Sequence, residues 1–479
     1  MKHGLLAFAL VMSAACGGDD DFGDGVRADA RPLSDGGGGG GDDGGVTPDA
    51  GGGDVTPLVW AWGDFATNNR TQLAAFAPDS ALPVTPLAVF PAGDTGQIWS
   101  QSGSADYGPF DISGSRVAFS ADIDMATRYD LYVASVDGGE PVHVVAVGDA
   151  ADIEKVRFSP DGSKIAFIAD LELDGQLDAY VIASDAALGT PVRVSPAHAS
   201  ASTDLDASQL AWSTDSQKIV VTGDFSQNDY QEMWIADATA AEPTPAPVVD
   251  RDRIMSTGVG GKGAIQPLLV SGASILFKSR LDADDLFKLT VIGTDGENEA
   301  TLANSTITRT DDSIADIGAA TLSGDRSQIA FGADETETIF DLWVMPADGS
   351  MSPTKLTDGL ANADTGPPPG QQLKWSADGQ KIAFLADYRD EGRYEPYVVP
   401  VAGGGQTHLA NVGDSPADNK DADAICWTPA GDALFMVADL EIGNDSDLFR
   451  LDPATADQTP GLAIGAPPDG DLGGVRSSH

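Results

Sequence analysis

The acidic stretch "DLELDGQLD" has the residue types and the spacing of a metal-binding loop. Its first, third, fifth and ninth residues are carboxylates, namely Asp170, Glu172, Asp174 and Asp178. In helix–loop–helix calcium sites, oxygens at these positions surround the ion, and a glycine at position 6, here Gly175, allows the turn. The twelfth residue is Val181 rather than the bidentate glutamate of those sites. The stretch therefore predicts either a calcium site that lacks one ligand or a turn between two strands.

Flanking carboxylates recur along the chain at nearly the same spacing, without the ligands between them. The recurring pairs are Asp122/Asp130, Asp224/Glu232, Asp334/Asp341, Asp387/Glu395 and Asp439/Asp447. A pair that persists without its interior favours a structural role, because a carboxylate at a loop end accepts backbone N–H bonds and fixes the turn. Calcium remains the alternative for the stretch above. It is also the alternative for the acidic sets Asp122, Asp124, Asp130 and Asp439, Asp445, Asp447.

Catalytic chemistry has little support in the sequence. Paired glycosidase carboxylates need a cleft and one raised pKa, whereas we expect these recurring pairs to be solvent-exposed and ionised. The chain contains no G-x-S-x-G elbow, no G-x-x-x-x-G-K-[ST] phosphate loop and no H-E-x-x-H or H-x-x-E-H zinc pair. The five histidines are scattered, and His143 and His408 are predicted to face solvent. We therefore predict no catalytic residue and no enzyme, with a hydrolase or lyase as the alternative.

An internal repeat explains why the carboxylate pairs recur. The apolar segment "IAFIAD" is one of eight similar segments, 48 to 58 residues apart. They end at Asp64, Asp122, Asp170, Asp224, Arg280, Asp334, Asp387 and Asp439. Periods of about this length are typical of solenoids and propellers.

Three further strands are predicted around each apolar segment. A strand ending in an aromatic residue such as Phe158 precedes it. The joining turn is exemplified by residues 159–162, Ser-Pro-Asp-Gly, in which proline presets φ. A third strand such as 178–184 and a short fourth strand such as 191–195 follow, and no segment has helical periodicity. Because the middle strands are almost entirely apolar, we expect both of their faces to be covered.

Four-stranded sheets packed face to face around a ring provide that cover. The predicted fold is therefore an all-β, eight-bladed β-propeller over residues 58–470, rather than a linear solenoid, for which no polar caps are evident. The first repeat lacks its aromatic first strand, and segment 463–470 ends in Pro-Asp-Gly. We expect segment 463–470 to close the first blade, with seven blades and an extra hairpin as the alternative. Residues 471–479 are predicted to be a disordered tail.

The N-terminus has the features of an export signal. Lys2 and His3 precede an apolar run that is too short to span a bilayer. The following "SAAC" resembles the lipobox of bacterial lipoproteins, although leucine is usual where Ser13 stands. The resemblance implies a signal peptide over residues 1–15 and a lipidated Cys16.

The segment after the signal peptide has the composition of a tether. Residues 16–57 are rich in glycine and aspartate and contain no core-forming run, so we predict a disordered linker. Gly17 does not resemble the aspartate signal for inner-membrane retention, so an outer-membrane anchor is preferred. A secreted or soluble periplasmic protein is the alternative.

The charge of the chain limits its partners. With 74 acidic and 27 basic residues, the net charge is −47. Such a surface repels nucleic acid and anionic membranes, so we predict no nucleic-acid partner and membrane contact only through the lipid anchor. The two cysteines are Cys16 and Cys426. With Cys16 lipidated, no internal disulfide is expected, and Cys426 is predicted to be a buried thiol.

The repeat resembles a known family. The segments "FSPDGSKIAF" and "DLYVASVDGG" are similar to the WD-like repeat of TolB-type periplasmic propellers, which is also found in the propeller domains of prolyl-oligopeptidase-type and tricorn-type peptidases. The Trp-Asp ending of true WD repeats is absent. The resemblance covers about residues 58 to 470 and implies the fold, whereas function is not implied, because this repeat serves many functions.

Residues that depart from the repeat are the best candidates for binding, because binding concentrates in loops on a rigid scaffold. The connection 251–267 contributes Arg251, Arg253 and Lys262, and Arg280 stands where the other repeated segments end in aspartate. We propose these four residues as a basic contact set. The repeated aromatics are instead expected to pack between blades, and they are Phe158, Trp212, Trp375 and Trp427.

The favoured function is a non-enzymatic cell-envelope lipoprotein whose monomeric propeller binds an envelope protein or peptide. The alternative is a carbohydrate-binding, hydrolytic or lyase propeller that uses its central mouth, with or without calcium. No other cofactor is predicted.

Overall fold

Each apolar segment of the repeat forms a strand with an antiparallel partner on both sides. The structure is a computed structural model. It describes residues 59–63, 72–76, 110–123, 128–136, 140–148, 153–198, 205–228, 230–250, 264–280, 286–302, 307–309, 314–336, 339–357, 373–389, 393–413, 422–440, 447–464 and 472–477. Within these ranges the regular structure is entirely β, and no helix there could cross a membrane.

The strands form eight sheets, which we number in chain order. Sheet 1 begins with β1 (Val59–Gly63) and β2 (Gln72–Phe76). Sheet 2 contains β3 (Phe110–Ser113), β4 (Arg116–Ala121), β5 (Asp130–Ser135) and β6 (Val142–Val145). Sheet 3 contains β7 (Ile153–Phe158), β8 (Lys164–Leu173), β9 (Gln176–Ala183) and β10 (Val192–Arg193). Sheet 4 contains β11 (Ala207–Trp212), β12 (Lys218–Gly223), β13 (Glu232–Asp237) and β14 (Ala246–Val249).

The second half of the chain repeats this arrangement. Sheet 5 contains β15 (Ala264–Ser271), β16 (Ser274–Arg280), β17 (Lys288–Gly293) and β18 (Ala300–Thr301). Sheet 6 contains β19 (Ile317–Leu322), β20 (Gln328–Thr336), β21 (Ile339–Pro346) and β22 (Thr354–Lys355). Sheet 7 contains β23 (Lys374–Trp375), β24 (Lys381–Ala386), β25 (Glu395–Pro400) and β26 (Thr407–His408). Sheet 8 contains β27 (Ala422–Trp427), β28 (Leu434–Ala438), β29 (Asp447–Leu451) and β30 (Gly461–Ile464). The last strand, β31 (Leu472–Ser477), returns to sheet 1.

Consecutive strands are neighbours in all seven four-stranded sheets, whereas sheet 1 has the order β2-β1-β31. The all-β prediction with four strands in a repeat is therefore confirmed for seven sheets. The segment predicted as a tail contains a strand: Val59 pairs with Ser477 and Trp62 with Gly474. Segment 463–470 does not take that place, because β30 is already the fourth strand of sheet 8. The sequence of β31 gives little apolar signal, since backbone pairing does not require apolar side chains.

The core lies between neighbouring sheets. The third residue of the repeated apolar segment is a fully buried phenylalanine in five sheets, at Phe119, Phe167, Phe277, Phe331 and Phe384, and the equally buried Met436 takes this place in sheet 8. Each such burial stabilises the fold by about 1.5–3 kcal/mol. Core clusters join residues of consecutive sheets, as where Ile168 of sheet 3 packs with Trp212 and Ile219 of sheet 4. Both faces of the middle strands are thus covered, as predicted.

The repeated tryptophans bridge one sheet to the preceding one. The indole Nε1 of Trp212 donates to the Arg157 carbonyl at 3.3 Å, and that of Trp427 donates to the Lys374 carbonyl at 2.8 Å. Trp375 makes the same bond to sheet 6. The predicted packing of these aromatics between sheets is confirmed, because the ring fills the interface and its donor is satisfied there.

Candidate functional site

Four consecutive sheets, 3 to 6, line a cavity at the ends of their first strands. The cavity has a volume of about 580 Å³. Its polar lining includes Asp161, Thr214, Asp215, Ser271, Asp325 and Arg326. Three carboxylates and one guanidinium give this cavity, which we call the mouth, a net negative charge.

The turn at Asp161 shows how the sequence fixes each lining carboxylate. The Ser159 hydroxyl donates to Asp161 Oδ1 at 2.6 Å, and the Ser163 N–H donates to the same oxygen at 3.0 Å. Gly162 has a φ of +67°, a conformation that glycine adopts at little cost. Burial opposes ionisation of Asp161, but the hydrogen bonds from Ser159 and Ser163 outweigh it and lower its pKa to about 2. The carboxylate is therefore ionised and held in one orientation.

The same turn recurs at the other lining carboxylates. The Ser213 hydroxyl donates to Asp215 at 2.6 Å, and the Ser323 hydroxyl donates to Asp325 at 2.7 Å. These hydroxyl bonds, followed by backbone N–H bonds, lower the pKa of Asp215 and of Asp325. Because each serine hydroxyl is already a donor to an ionised carboxylate, the arrangement fixes a charge and does not activate a nucleophile.

Neighbouring turns are joined to each other around the cavity. The Asp161 N–H donates to the Ser216 hydroxyl at 3.1 Å, which joins sheets 3 and 4. The Thr214 N–H donates to the Val270 carbonyl at 3.0 Å, which joins sheets 4 and 5. These hydrogen bonds hold the turns of neighbouring sheets together, so the wall of the cavity is suited to presenting charge at fixed positions.

The stretch predicted as a calcium loop is a hairpin between β8 and β9. Residues 170–172 form a bulge, and a two-residue turn at Asp174 and Gly175 joins the strands. Asp170 is buried and accepts the Gly175 N–H at 2.9 Å. Glu172 is exposed and lies 3.0 Å from Arg193. The turn interpretation is therefore confirmed for the backbone.

Asp178 is bound by groups from the fourth strand and the connection that follows it. Its Oδ1 atom lies 2.9 Å from Arg193 Nη2 and 2.9 Å from His198 Nε2, and it accepts the Ser195 hydroxyl at 2.7 Å. A calcium ion would have to displace these partners. Among the described residues, no group of three or more His, Cys, Asp or Glu side chains is placed to hold one metal ion.

The second carboxylate of the recurring pair is buried in six sheets, contrary to our expectation of solvent exposure. These residues are Asp130, Asp178, Glu232, Asp341, Glu395 and Asp447. The fourth strand and the connections around it cover them, which the spacing of acidic residues does not reveal. Asp341, for example, lies 2.8 Å from Lys355 Nζ and accepts the Thr357 hydroxyl at 3.0 Å. Partners are required because an isolated buried charge is costly.

The fourth strand supplies a basic side chain opposite an aromatic of the third strand. Arg193 pairs with Tyr180, Lys355 with Trp343, His143 with Tyr132 and His408 with Tyr397. The prediction that the two histidines face solvent is wrong. The His143 side chain is 18% exposed and lies 3.0 Å from Asp130, and the His408 side chain is 12% exposed and lies 3.2 Å from Glu395. The buried carboxylates attract the rings inward, and the sequence does not show that attraction.

Two aspartates that the sequence analysis missed bridge sheets. The Leu177 N–H of sheet 3 donates to Asp206 of sheet 4 at 2.8 Å, and the Phe287 N–H of sheet 5 donates to Asp316 of sheet 6 at 2.7 Å. Each aspartate directly precedes the first strand of its sheet, and this shared position is the sequence feature from which the bridges could have been predicted. Burial raises the pKa of Asp316, opposed by the Phe287 bond.

Of the predicted basic set, Arg280 is the member that lies among the described residues. Its guanidinium lies 5.1 Å from the Phe287 ring centroid, beside Lys278 at 5.0 Å from the same ring. Residues Arg251, Arg253 and Lys262, and the lipidation candidate Cys16, lie outside the described residues. Cys426 is a buried thiol, as predicted.

Comparison with known proteins agrees with this architecture. Residues 126–251 match the lipoprotein LpqB beta-propeller domain. The predicted propeller resemblance is confirmed. A comparison with curated protein sequences finds no match.

Comparison with solved structures finds similar chains at low sequence identity. The dipeptidyl peptidase 4 of Porphyromonas gingivalis has a TM-score of 0.50 at 11% identity, over 83% of this chain and 57% of the peptidase. The propeller chain thus spans little more than half of that enzyme. The β-propeller domain of the Trilobed protease from Pyrococcus furiosus has a TM-score of 0.45 at 13% identity. The match covers 75% of this chain and 97% of that domain. TolB from Acinetobacter baumannii has a TM-score of 0.35 at 13% identity, and the match covers 87% of this chain and 83% of TolB.

Proposed function

We propose that the eight sheets are the eight blades of a closed propeller and that β31 completes the first blade. Core clusters join sheets 1 and 2, and likewise each following pair up to sheets 7 and 8. Sheet 8 contacts sheet 1 through Phe435 and Phe76, whose ring centroids are 5.4 Å apart. Strand β31 also lies against β27. Closure removes the two exposed ends that an open stack would leave.

We further propose that the protein is a non-enzymatic scaffold that binds a protein or peptide at the mouth between sheets 3 and 6. The observation that carries this function is the locking of the lining carboxylates by serine hydroxyls and backbone N–H groups. Groups with lowered pKa values stay ionised near neutrality and are poor general acids. They are suited to attracting positive charge over a distance.

The partner that fits this mouth is a segment rich in lysine and arginine. Three fixed carboxylates face the cavity with one cation, Arg326, on a chain of net charge −47. A volume of about 580 Å³ accommodates a few side chains and not a folded domain. An extended basic segment of a larger envelope protein would therefore enter, while the rest of that protein stays outside.

The cell envelope is the proposed location. The match to the propeller domain of a lipoprotein supports it, together with the lipobox-like sequence that ends at Cys16. Placement of the anchor in the outer membrane rests on Gly17 and remains part of this proposal.

Calorimetry with a short lysine- and arginine-rich peptide tests the function. The triple variant Asp161→Asn, Asp215→Asn, Asp325→Asn keeps the hydrogen-bond acceptors and removes three charges. We expect its Kd to rise about fivefold to thirtyfold, since three exposed ion pairs together contribute about 1–2 kcal/mol. Asp378→Asn is the matched control, because its turn has the same serine bond at 2.6 Å but does not line the cavity.

Two results would contradict the proposal. One is equal affinity of the parent protein and the triple variant at low ionic strength, where charge attraction is strongest. The other is turnover of peptides or glycans in an activity screen of the purified protein, which would favour the enzymatic alternative.

A further inference from the structure

Sheets 2 and 3 are joined by a backbone contact on the outside of the molecule. The connection between β9 and β10 lies against β6, the fourth strand of sheet 2. The Leu188 N–H donates to the His143 carbonyl at 2.8 Å, and the Gly189 N–H donates to the Val144 carbonyl at 2.9 Å. Leu188 has a φ of +49°. The contact covers part of an edge strand that would otherwise be exposed.

Sheets 7 and 8 repeat this contact residue for residue. The Asp457 N–H donates to the His408 carbonyl at 3.2 Å, and the Gln458 N–H donates to the Leu409 carbonyl at 2.8 Å. Asp457 also has a φ of +49°. His408 therefore corresponds to His143, and Asp457 corresponds to Leu188. The two contacts share their backbone hydrogen bonds, and the difference that matters for the histidine is Asp457 in place of Leu188.

That difference places a carboxylate from sheet 8 on the imidazole of sheet 7. Asp457 Oδ1 lies 2.6 Å from His408 Nδ1, while Glu395 Oε2 lies 3.2 Å from Nε2 on the other side of the ring. A protonated ring can donate to both acids at once. In the contact between sheets 2 and 3, the position of Asp457 is occupied by the apolar Leu188.

The other charged groups around His408 define what happens when the ring loses its proton. Arg389 Nη1 lies 3.1 Å from His408 Nδ1 and 3.6 Å from Asp457. Arg393 lies 3.8 Å from Glu395, and the Tyr397 ring centroid is 5.1 Å from that of His408. A neutral ring with its proton on Nε2 accepts from Arg389 at Nδ1, so it no longer donates to Asp457.

We propose that His408 and Asp457 form a pH-sensitive latch between sheets 7 and 8, which holds while the imidazole is protonated and loosens when the proton leaves. The latch joins the last two four-stranded sheets, between β26 and the connection from β29 to β30. Loosening it weakens the outer contact of sheet 8 while the core between the sheets stays packed.

The direction of the pH dependence follows from the charges. Burial of the ring opposes protonation, but the bonds to Glu395 and Asp457 raise the pKa of His408 above 6.5. A pKa raised in the folded state stabilises the latch fully below the unfolded value of about 6.5. The stabilisation is lost as the pH rises through the folded-state pKa. The latch is thus closed in mildly acidic surroundings and loosened in alkaline ones.

Hydrogen exchange measured by mass spectrometry on the full chain tests the latch. The readout is the protection of the Asp457 and Gln458 amides, corrected for the intrinsic exchange rate at each pH. We expect protection in the parent protein to fall between pH 6 and pH 9. The fall is about tenfold for each unit by which closing the latch raises the pKa of His408. Asp457→Leu, which copies the contact of sheets 2 and 3, should remove this fall.

The reciprocal variant Leu188→Asp supplies an independent arm. It should add a pH-dependent fall in protection at Leu188 and Gly189. A histidine titration by NMR in the unmodified protein, with His408→Gln for assignment, should give a His408 pKa above 6.5. The latch is refuted if protection at Asp457 is independent of pH, if Asp457→Leu behaves like the parent, or if the His408 pKa is 6.5 or lower.

Discussion

Trp427 and Trp343 are two indoles with opposite hydrogen-bonding surroundings. Trp427 Nε1 donates to the Lys374 carbonyl at 2.8 Å, whereas the buried Trp343 Nε1 has no acceptor among the described residues. Replacement of each by phenylalanine removes similar volume but only one bridge between sheets. We expect Trp427→Phe to lower the free energy of unfolding by about 1 kcal/mol more than Trp343→Phe. Urea unfolding of both variants measures the difference, and equal losses would show that the bridge contributes nothing.

The Asp161 turn should make stability depend on pH in acid. Its pKa is lowered to about 2, so it contributes stability that is complete above about pH 4 and is lost as the pH falls towards 2. Asp161→Asn cannot titrate and should flatten part of the fall in the unfolding midpoint over that range. Thermal unfolding in steps from pH 5 to pH 2 measures it. Identical slopes for the parent and the variant would mean that the carboxylate is not stabilised by its turn.

Residue identity alone predicted some of these roles and not others. The Ser-x-Asp turn at Asp161 follows from local hydrogen bonding within five residues, so sequence suffices to find it. The burial of Asp178 could not be predicted from local sequence, because its partners Arg193 and His198 come from a later strand and the connection after it. His143 was misjudged for the same reason, since its partner Asp130 is on a neighbouring strand and only the register brings them together.

The C-terminal strand is the element on which ring closure depends. Ending the chain at Gly470 removes β31 and the backbone bonds that it makes with β1. We expect a marked drop in the thermal unfolding midpoint, because sheets 1 and 8 would each lose a neighbour. Deletion of residues 478 and 479 alone is the control and should leave the midpoint unchanged. An unchanged midpoint after the longer deletion would favour a chain whose ends are independent.

The sequence predicted most of the strands, but it did not indicate which C-terminal segment joins sheet 1. The repeated apolar segments became β4, β8, β24 and their counterparts because alternation is absent where both faces are buried. Strand β31 was missed because "LGGVRS" has two glycines and only two apolar residues. Its partner lies more than 400 residues away, so neither local pattern nor the repeat indicates it.

The anchor can be tested on the whole molecule in cells. If Cys16 carries lipid, Cys16→Ser should move the protein from the membrane fraction to the soluble fraction, because one residue supplies the only proposed attachment. Fractionation followed by immunoblotting measures the distribution. Cys426→Ser is the control, since that thiol is buried in β27. A membrane fraction that persists in Cys16→Ser would contradict a lipid anchor.

The charge of the whole molecule has a simple consequence for its partner. A net charge of −47 favours association with basic segments and makes that association sensitive to salt. Composition predicted this preference, whereas the position of the mouth required the structure, because its carboxylates come from three separate repeats.

The most direct test of the scaffold proposal is photo-crosslinking in intact cells from a residue at the mouth. A photoreactive amino acid at Ser271, which is exposed and lines the cavity, is compared with one at Thr239, which is exposed in a turn elsewhere. The account predicts that Ser271 captures one envelope protein through a lysine- and arginine-rich segment and that Thr239 does not. Capture of the same proteins from both positions, or of none from Ser271, would contradict it.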